Sequence, residues 1–225
     1  MTSSSWHAHG NVYLIAESDD FTMEPGLDGV VLVLAADGND VQVAIINPDG
    51  SVAEMSGNGT RIAAAWLMTR TGVDEARVHV GPRVVAARRV GERQYESDMG
   101  EVEIGMPETV DGITFTPVVV GNPHVVVLGD PADLDEVGPH LEAHPHFPNR
   151  TNVQVARVDG PGVVTARVWE RGVGETTASG SSAVAVAAAT HGEGDVVVRF
   201  PGGDLQVSLH DGRALLTGPA EPVAE

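Results

Sequence analysis

Residues 178–190 read Ala-Ser-Gly-Ser-Ser-Ala-Val-Ala-Val-Ala-Ala-Ala-Thr. The stretch Ser182–Thr190 predicts a helix with almost no polar face, so it must be surrounded on nearly all sides. Its side chains are no larger than valine, which lets enclosing strands come close. A second helix is predicted over Gly59–Thr69, with Ile62-Ala63-Ala64-Ala65-Trp66-Leu67-Met68 as its centre.

Around these two helices the chain reads as short, valine-rich strands cut by Gly, Pro and Asp turns such as Pro48-Asp49-Gly50 and Asp211-Gly212. Strands are predicted at Val12–Ala16, Gly29–Leu34, Val41–Ile46, Val78–Val80, Val84–Arg88 and Val102–Ile104 in the first half. The second half adds Thr116–Val120, Val125–Leu128, Asn152–Val158, Val163–Trp169, Val196–Phe200, Asp204–Leu209 and Ala214–Thr217. So many evenly spaced strands argue against a doubly wound α/β sheet.

Each helix follows a strand, an acidic turn and a loop of small residues. The first loop runs from Asn47-Pro48-Asp49-Gly50 to Ser56-Gly57-Asn58-Gly59, the second from Glu170-Arg171-Gly172 to Ser179-Gly180-Ser181-Ser182. Ser56 and Ser179 lie 123 residues apart; Asn11 in His9-Gly10-Asn11 and Asn122 in Gly121-Asn122-Pro123-His124 lie 111 apart. Each offset is roughly half of the 225 residues. The expected class is α+β: two similar barrel-like halves, each a mostly antiparallel sheet around a central helix. The join falls near Pro107–Gly112, giving halves 1–110, completed by a last strand within 213–225, and 111–212.

A helix N-terminus offers unpaired N–H groups and the positive end of the helix dipole. Glycines beside it let a ligand approach the backbone. Two such mouths suit a carboxylate, and a serine at each supplies a proton-handling group for either face of the neighbouring carbon. One group to remove a proton and another to return it from behind is what inversion requires. A Ser-Gly pair before a helix is also an ordinary N-cap.

Composition removes several chemistries. The chain has no cysteine and no lysine, and all 13 basic residues are arginine. Thiol catalysis, disulfides, a pyridoxal phosphate Schiff base and a P-loop are excluded. The formal net charge of −19 opposes nucleic-acid binding. No apolar run reaches the roughly eighteen residues of a membrane span, and no signal peptide is evident, so a cytoplasmic location is expected.

Two stretches resemble the active-site signatures of diaminopimelate epimerases. They are Asn47-x-Asp49-Gly50-Ser51-x-x-x-Met55-Ser56-Gly57-Asn58-Gly59-x-Arg61 and Glu170-Arg171-Gly172-x-Gly174-Glu175-Thr176-x-Ala178-Ser179-Gly180. Gly10-Asn11, Gly121-Asn122-Pro123-His124, Phe147-Pro148-x-Arg150-x-Asn152 and Leu216-Thr217-Gly218-Pro219-Ala220 extend the likeness in the same order. The resemblance implies an active site in a cleft between the halves and conversion of LL- to meso-diaminopimelate without a cofactor. It places Asn11, Asn47, Asn122, Asn152, Glu170 and Arg171 on the substrate's distal end and carboxylates. Backbone groups of Gly57, Asn58, Gly180 and Ser181 would hold the α-carboxylate, with His124 and Glu170 beside the reacting centre. The partner is an amino acid; neither nucleic acid nor membrane is implied, and a homodimer is allowed.

The family carries cysteines where this chain has Ser56 and Ser179. A hydroxyl is a far weaker acid than a thiol, so serine needs a neighbour to relay its proton. His124 and Glu170 are the candidates, with Glu54 and Glu175 as outer ones. A binding homologue without turnover, or a related racemase or dehydratase of the same fold, remains an alternative. No metal is expected: His7-x-His9 and His144-Pro145-His146 lack clustered Asp, Glu or Cys partners at known spacing.

Overall fold

A computed structural model describes residues 3–53 and 56–223. The chain divides into two compact units. One runs to Asp98 and takes back the chain from Thr217 onward; the other is Met99–Leu216.

In the first unit β1 (Ser3–Ala8) and β2 (Asn11–Ala16) form a hairpin. Its two turn residues, His9 and Gly10, have φ of 51° and 84°, the left-handed pair that matches a tight turn to strand twist. β3 (Gly29–Asp37) lies parallel to β2, and β4 (Asp40–Ile46) antiparallel to β3. Helix α1 (Gly57–Thr71) follows, then β5 (Glu75–Val80) parallel to β4, with β6 (Arg83–Gly91) and β7 (Gln94–Glu101) added antiparallel. Strands β1 to β6 all pack against α1, which is buried continuously from Gly57 to Met68. Gly72, at φ 79°, ends it by donating its N–H to the Met68 carbonyl.

The second unit opens with β8 (Glu103–Ile104), β9 (Glu108–Val110), β10 (Ile113–Val119) and β11 (Pro123–Leu128). A short 3₁₀ turn and helix α2 (Leu134–Glu142) precede β12 (Asn152–Gly160), β13 (Val163–Glu170) and β14 (Gly174–Thr176). Helix α3 (Gly180–His191), β15 (Gly194–Phe200), β16 (Gly203–His210) and β17 (Arg213–Pro219) complete the order, and β18 (Glu221–Pro222) pairs with β1. β10 to β13, β15 and β16 pack around α3, which is buried from Gly180 to Ala188.

The internal repeat holds at the level of strand pairing. From β1 to β6 the pairs alternate antiparallel, parallel, antiparallel, parallel, antiparallel. β10–β11, β11–β12, β12–β13, β13–β15 and β15–β16 repeat that order. Each unit therefore wraps mostly antiparallel strands around one buried helix, as the sequence predicts. Parallel pairs enter wherever a helix or long connection brings the chain back in the same direction.

The structure corrects the reading of two helices, because α2 is a third. It buries Leu134 and Leu141 in a cluster with Phe115, Val125, Val127, Val153 and Val155. Gly138-Pro139 in its interior makes the stretch read as a loop. Gly138 is required by contact: a Cβ there would lie 2.9 Å from Trp169 Cβ, so the bare backbone is what seats α2 on β13.

Candidate active site

Both Ser-Gly loops end at helix mouths. Ser56 precedes α1 at φ −141°, ψ 115°, and Ser179 precedes α3 at φ −142°, ψ 129°. The two backbones match, but the hydroxyls are used differently. Ser56 Oγ accepts the Gly59 N–H at 3.0 Å, a true N-cap, and lies 3.3 Å from the Tyr13 hydroxyl. Ser179 makes no side-chain cap bond to its helix. Its hydroxyl instead donates to Glu170 Oε2 at 3.1 Å, and Glu170 Oε1 accepts Thr176 Oγ1 at 2.6 Å. The capping reading thus accounts for one serine and not for the other. At α3 the Ser182 N–H, the counterpart of the Gly59 N–H, is left without the side-chain cap made at α1.

The turn that presents Glu170 is clamped. Asn152 Oδ1 accepts the Arg171 N–H at 3.0 Å, while its Nδ2 donates to the Pro123 carbonyl at 2.8 Å. Glu142 Oε1 accepts the Gly172 N–H at 3.0 Å, and Arg150 holds its other oxygen. Glu142 is only 3% exposed. Gly172 has φ 76°, which only glycine adopts freely.

His124 pairs with Asn152 in the β11–β12 register. Gln154 Nε2 donates to its Nδ1 at 3.1 Å and also to Ser182 Oγ at 3.0 Å, so Nε2 carries the proton toward Asn122 Oδ1 at 2.8 Å. Burial pushes the ring down to about 3, far below the usual imidazole value. His124 is therefore a neutral ring that orients Asn122, and its two nitrogens bond to neither serine.

The other predicted residues are placed as follows. Asn11 is buried at the hairpin, with Nδ2 donating to the Ala8 carbonyl at 3.3 Å. Asn47 closes its own turn by donating to Ser51 Oγ at 3.0 Å. Asn58 Oδ1 accepts from Arg61, whose guanidinium is fully buried and also donates to the carbonyls of Pro219 and Gly57. Burial lowers Arg61 to about 10. Arg171 is half-buried, and its Nη1 donates to the Asn149 carbonyl at 3.3 Å. Glu175 takes no part at Ser179: it chelates Arg167, at 2.8 Å to each of two nitrogens. Glu54 and Met55 lie outside the described residues.

The Diaminopimelate epimerase family model matches residues 10–105 and 116–223. The chain belongs to the diaminopimelate epimerase family. It is 35% identical to a diaminopimelate epimerase of Synechocystis over 99% of this chain and 97% of that protein. It is 39% identical to one of Desulforudis audaxviator over 88% of this chain and 82% of that one. Among solved structures, a predicted epimerase of Pseudomonas aeruginosa superposes with a TM-score of 0.72 at 20% identity, covering 99% of this chain and 96% of that one. A hydroxyproline epimerase of Agrobacterium vitis, solved with trans-4-hydroxy-L-proline, gives 0.72 at 16%, covering 99% and 89%. Those two likenesses concern the fold.

For this member of the diaminopimelate epimerase family, the sequence reading missed Tyr13, Gln154 and Glu142. Tyr13 and Gln154 each lie two residues beyond a predicted asparagine on a strand, hence on the same face. Asn11, Tyr13 and Ile15 are all buried on one side of β2. Glu142 gave no such signal, because its partner Gly172 is 30 residues away.

Proposed function

We propose that this chain is a cofactor-independent diaminopimelate epimerase, an isomerase that interconverts LL- and meso-2,6-diaminopimelate for lysine and peptidoglycan precursor synthesis. A cytoplasmic location goes with that pathway. The observation that carries the reading is the Ser179–Glu170 hydrogen bond at the mouth of α3, within a chain whose relatives bear that name over nearly its full length. The bond supplies what a serine in place of cysteine lacks, a carboxylate to take its proton.

In this reading Ser179 Oγ takes the α-proton while its own proton passes to Glu170 Oε2. The N–H groups of Gly180 and Ser181, with those of Gly57 and Asn58, hold the α-carboxylate and stabilise the charge that develops on it. Ser56 returns a proton to the opposite face. Asn11, Asn47, Asn122, Asn152 and Arg171 bind the distal amino-acid end, a role that rests on the family likeness. His124 orients Asn122 rather than moving a proton, since its neutral ring is already committed on both sides. With no lysine in the chain, a Schiff-base route is closed.

Incubation with LL-diaminopimelate in D₂O tests the reading. Epimerisation with deuterium entering at the α-carbon is expected; no exchange above a buffer control would sink it.

A further inference from the structure

The second serine poses a question that the Glu170 contact leaves open. At Ser56 the bond from the Gly59 N–H draws on the hydroxyl oxygen rather than on its proton. The neighbour on its other side is the Tyr13 phenol, at 3.3 Å. Tyr13 is 8% exposed, and its ring is held: a Cβ on Gly29 would lie 2.7 Å from Tyr13 Cε1, so the ring rests against bare backbone. The buried Arg61 guanidinium lies within electrostatic reach of Tyr13, whose ionised form would stabilise it. Arg61 donates to two carbonyls and one amide oxygen, none of them charged. Among the described residues no carboxylate meets this buried cation, a costly arrangement that is compensated when the Tyr13 phenol loses its proton.

We propose that Tyr13 is the proton reservoir of Ser56, making the two serines unlike: Glu170–Ser179 removes the α-proton, and Tyr13–Ser56 returns one. This rests on the epimerase reading. The protons balance. The relay is written from a Glu170 carboxylate and a Tyr13 phenol. Ser179 passes its proton to Glu170 as it takes the one from the α-carbon. Ser56 delivers its proton to the other face and is refilled from Tyr13 Oη, leaving a phenolate within electrostatic reach of Arg61. The reverse reaction runs from that state, and exchange with water resets it.

Because Tyr13 acts through Ser56, its role is one of positioning and supply, and thiol rescue discriminates it from mere packing. Four proteins are compared: wild type, Tyr13→Phe, Ser56→Cys and the double variant. Tyr13→Phe, which keeps the ring on Gly29, is expected to lower kcat at least 30-fold with KM within about threefold. In the Ser56→Cys background the same change is expected to cost less than about threefold, because a thiol carries its own acidic proton. Wild-type turnover undiminished by Tyr13→Phe, or an equal loss in both backgrounds, overturns the relay alone. No turnover in any of the four sinks the epimerase reading itself.

A separate observation concerns the surface of the second unit. Asp111, His140 and His144 offer ligand atoms that all lie within 4.8 Å of one another. Asp111 sits in the Asp111-Gly112 hairpin turn between β9 and β10, where φ of 48° and 83° fixes its direction. His140 is on α2, and His144 lies one turn further, its N–H bonded to the Leu141 carbonyl. Their Nε2 atoms lie 3.2 and 3.3 Å from Asp111 Oδ2. Zinc bonds of about 2.0–2.1 Å, arranged tetrahedrally, put neighbouring ligand atoms about 3.3 Å apart. The sequence reading set His144-Pro145-His146 aside and expected no metal; His146 pairs with Glu108 at 2.8 Å and stays outside the cluster.

We infer that Asp111, His140 and His144 form a binding site for a transition metal of the zinc, cobalt or nickel type, with one coordination position open to water. Two imidazoles and one carboxylate suit these ions rather than magnesium or calcium, which prefer all-oxygen shells. Loading through Nε2 of His144 moves its proton to Nδ1, so the bond that Nδ1 now accepts from the His146 N–H would pass to water.

Equilibrium dialysis of chelator-treated protein against Zn²⁺, followed by metal analysis, tests the site. About one ion per chain is expected, with binding weakened at least tenfold in both His140→Ala and Asp111→Asn and unchanged in His146→Ala. Asparagine also tolerates the left-handed turn, so the second variant preserves the hairpin. No binding by wild type at 100-fold molar excess, or equal binding by all four proteins, overturns the inference.

Discussion

At the residue scale, the signature positions were legible because each is a small or polar residue at fixed spacing around a helix start. Their partners were legible only as a choice: the sequence offers His124 and Glu170 as proton relays for the serines, and nothing near Ser179 in the chain says which of them its hydroxyl meets. That contact makes a sharp prediction. Glu170→Gln keeps the size and one oxygen but cannot hold the proton, so kcat is expected to fall about 10²–10⁴-fold, the range general base catalysis commonly supplies, with KM little changed. Steady-state kinetics on both diaminopimelate isomers would check it, and a loss confined to KM would move Glu170 from chemistry to binding. His124 yields a prediction about stability. Its folded value of about 3 lies below the unfolded value of 6.5, so between those limits the unfolded chain binds a proton that the folded one refuses. The stability is full above pH 6.5 and drains as pH falls toward 3. Urea titrations from pH 7 to 4 should show wild type losing up to about 1.4 kcal/mol per pH unit more than His124→Gln. Parallel curves would contradict the assignment.

At the scale of elements, the strands were readable from valine runs and turn residues, the first buried helix from its apolar centre Ile62–Met68 and the second from its lack of a polar face. Three elements of six or more residues escaped, along with the short β9, β14 and β18. β1 begins Ser3-Ser4-Ser5 and lacks alternation until Trp6, and β7 buries Tyr95, Ser97 and Met99 between charged neighbours. α2 is nine residues long with Gly138-Pro139 inside it, so tertiary packing rather than propensity makes it a helix. Its placement matters because it carries Glu142 to the Arg171-Gly172 turn. Removing that buried carboxylate leaves the Gly172 N–H without its partner and Arg150 without its ion pair. Glu142→Ala should therefore cost about 1–3 kcal/mol. Glu142→Gln should cost less, because an amide oxygen still accepts from Gly172. The same pair separates packing from function: if the clamp serves Glu170, kcat should follow the order of stabilities under conditions where all three proteins remain folded.

At the scale of the molecule, two units with one pairing order and two matched helix mouths describe a duplicated design that has diverged in its chemistry. The repeat was visible in the sequence; the divergence was not, because Ser-Gly is the same dipeptide whether the hydroxyl caps its helix or faces a carboxylate. Charge is the other property of the whole chain. With 32 acidic residues against 13 arginines, negative charge is in large excess, and the folded state concentrates its repulsion. Some surface is organised against this: Arg167 serves both Glu175 and Asp135, and Asp40 accepts from both Arg77 and His79. Such exposed pairs contribute little each, so the net repulsion dominates at low salt. Raising KCl from about 0.01 to 0.3 M shortens the screening length from about 30 Å to under 8 Å, and most of the stabilisation should appear within that interval. Screening depends on ionic strength, whereas exclusion from the surface depends on the anion and grows at molar concentration. Thermal midpoints in KCl and K₂SO₄ at matched ionic strength should therefore rise together up to about 0.3 M and separate only beyond it. If they separate from the start, or the midpoint stays flat below 0.3 M, repulsion is not what limits the stability of this fold.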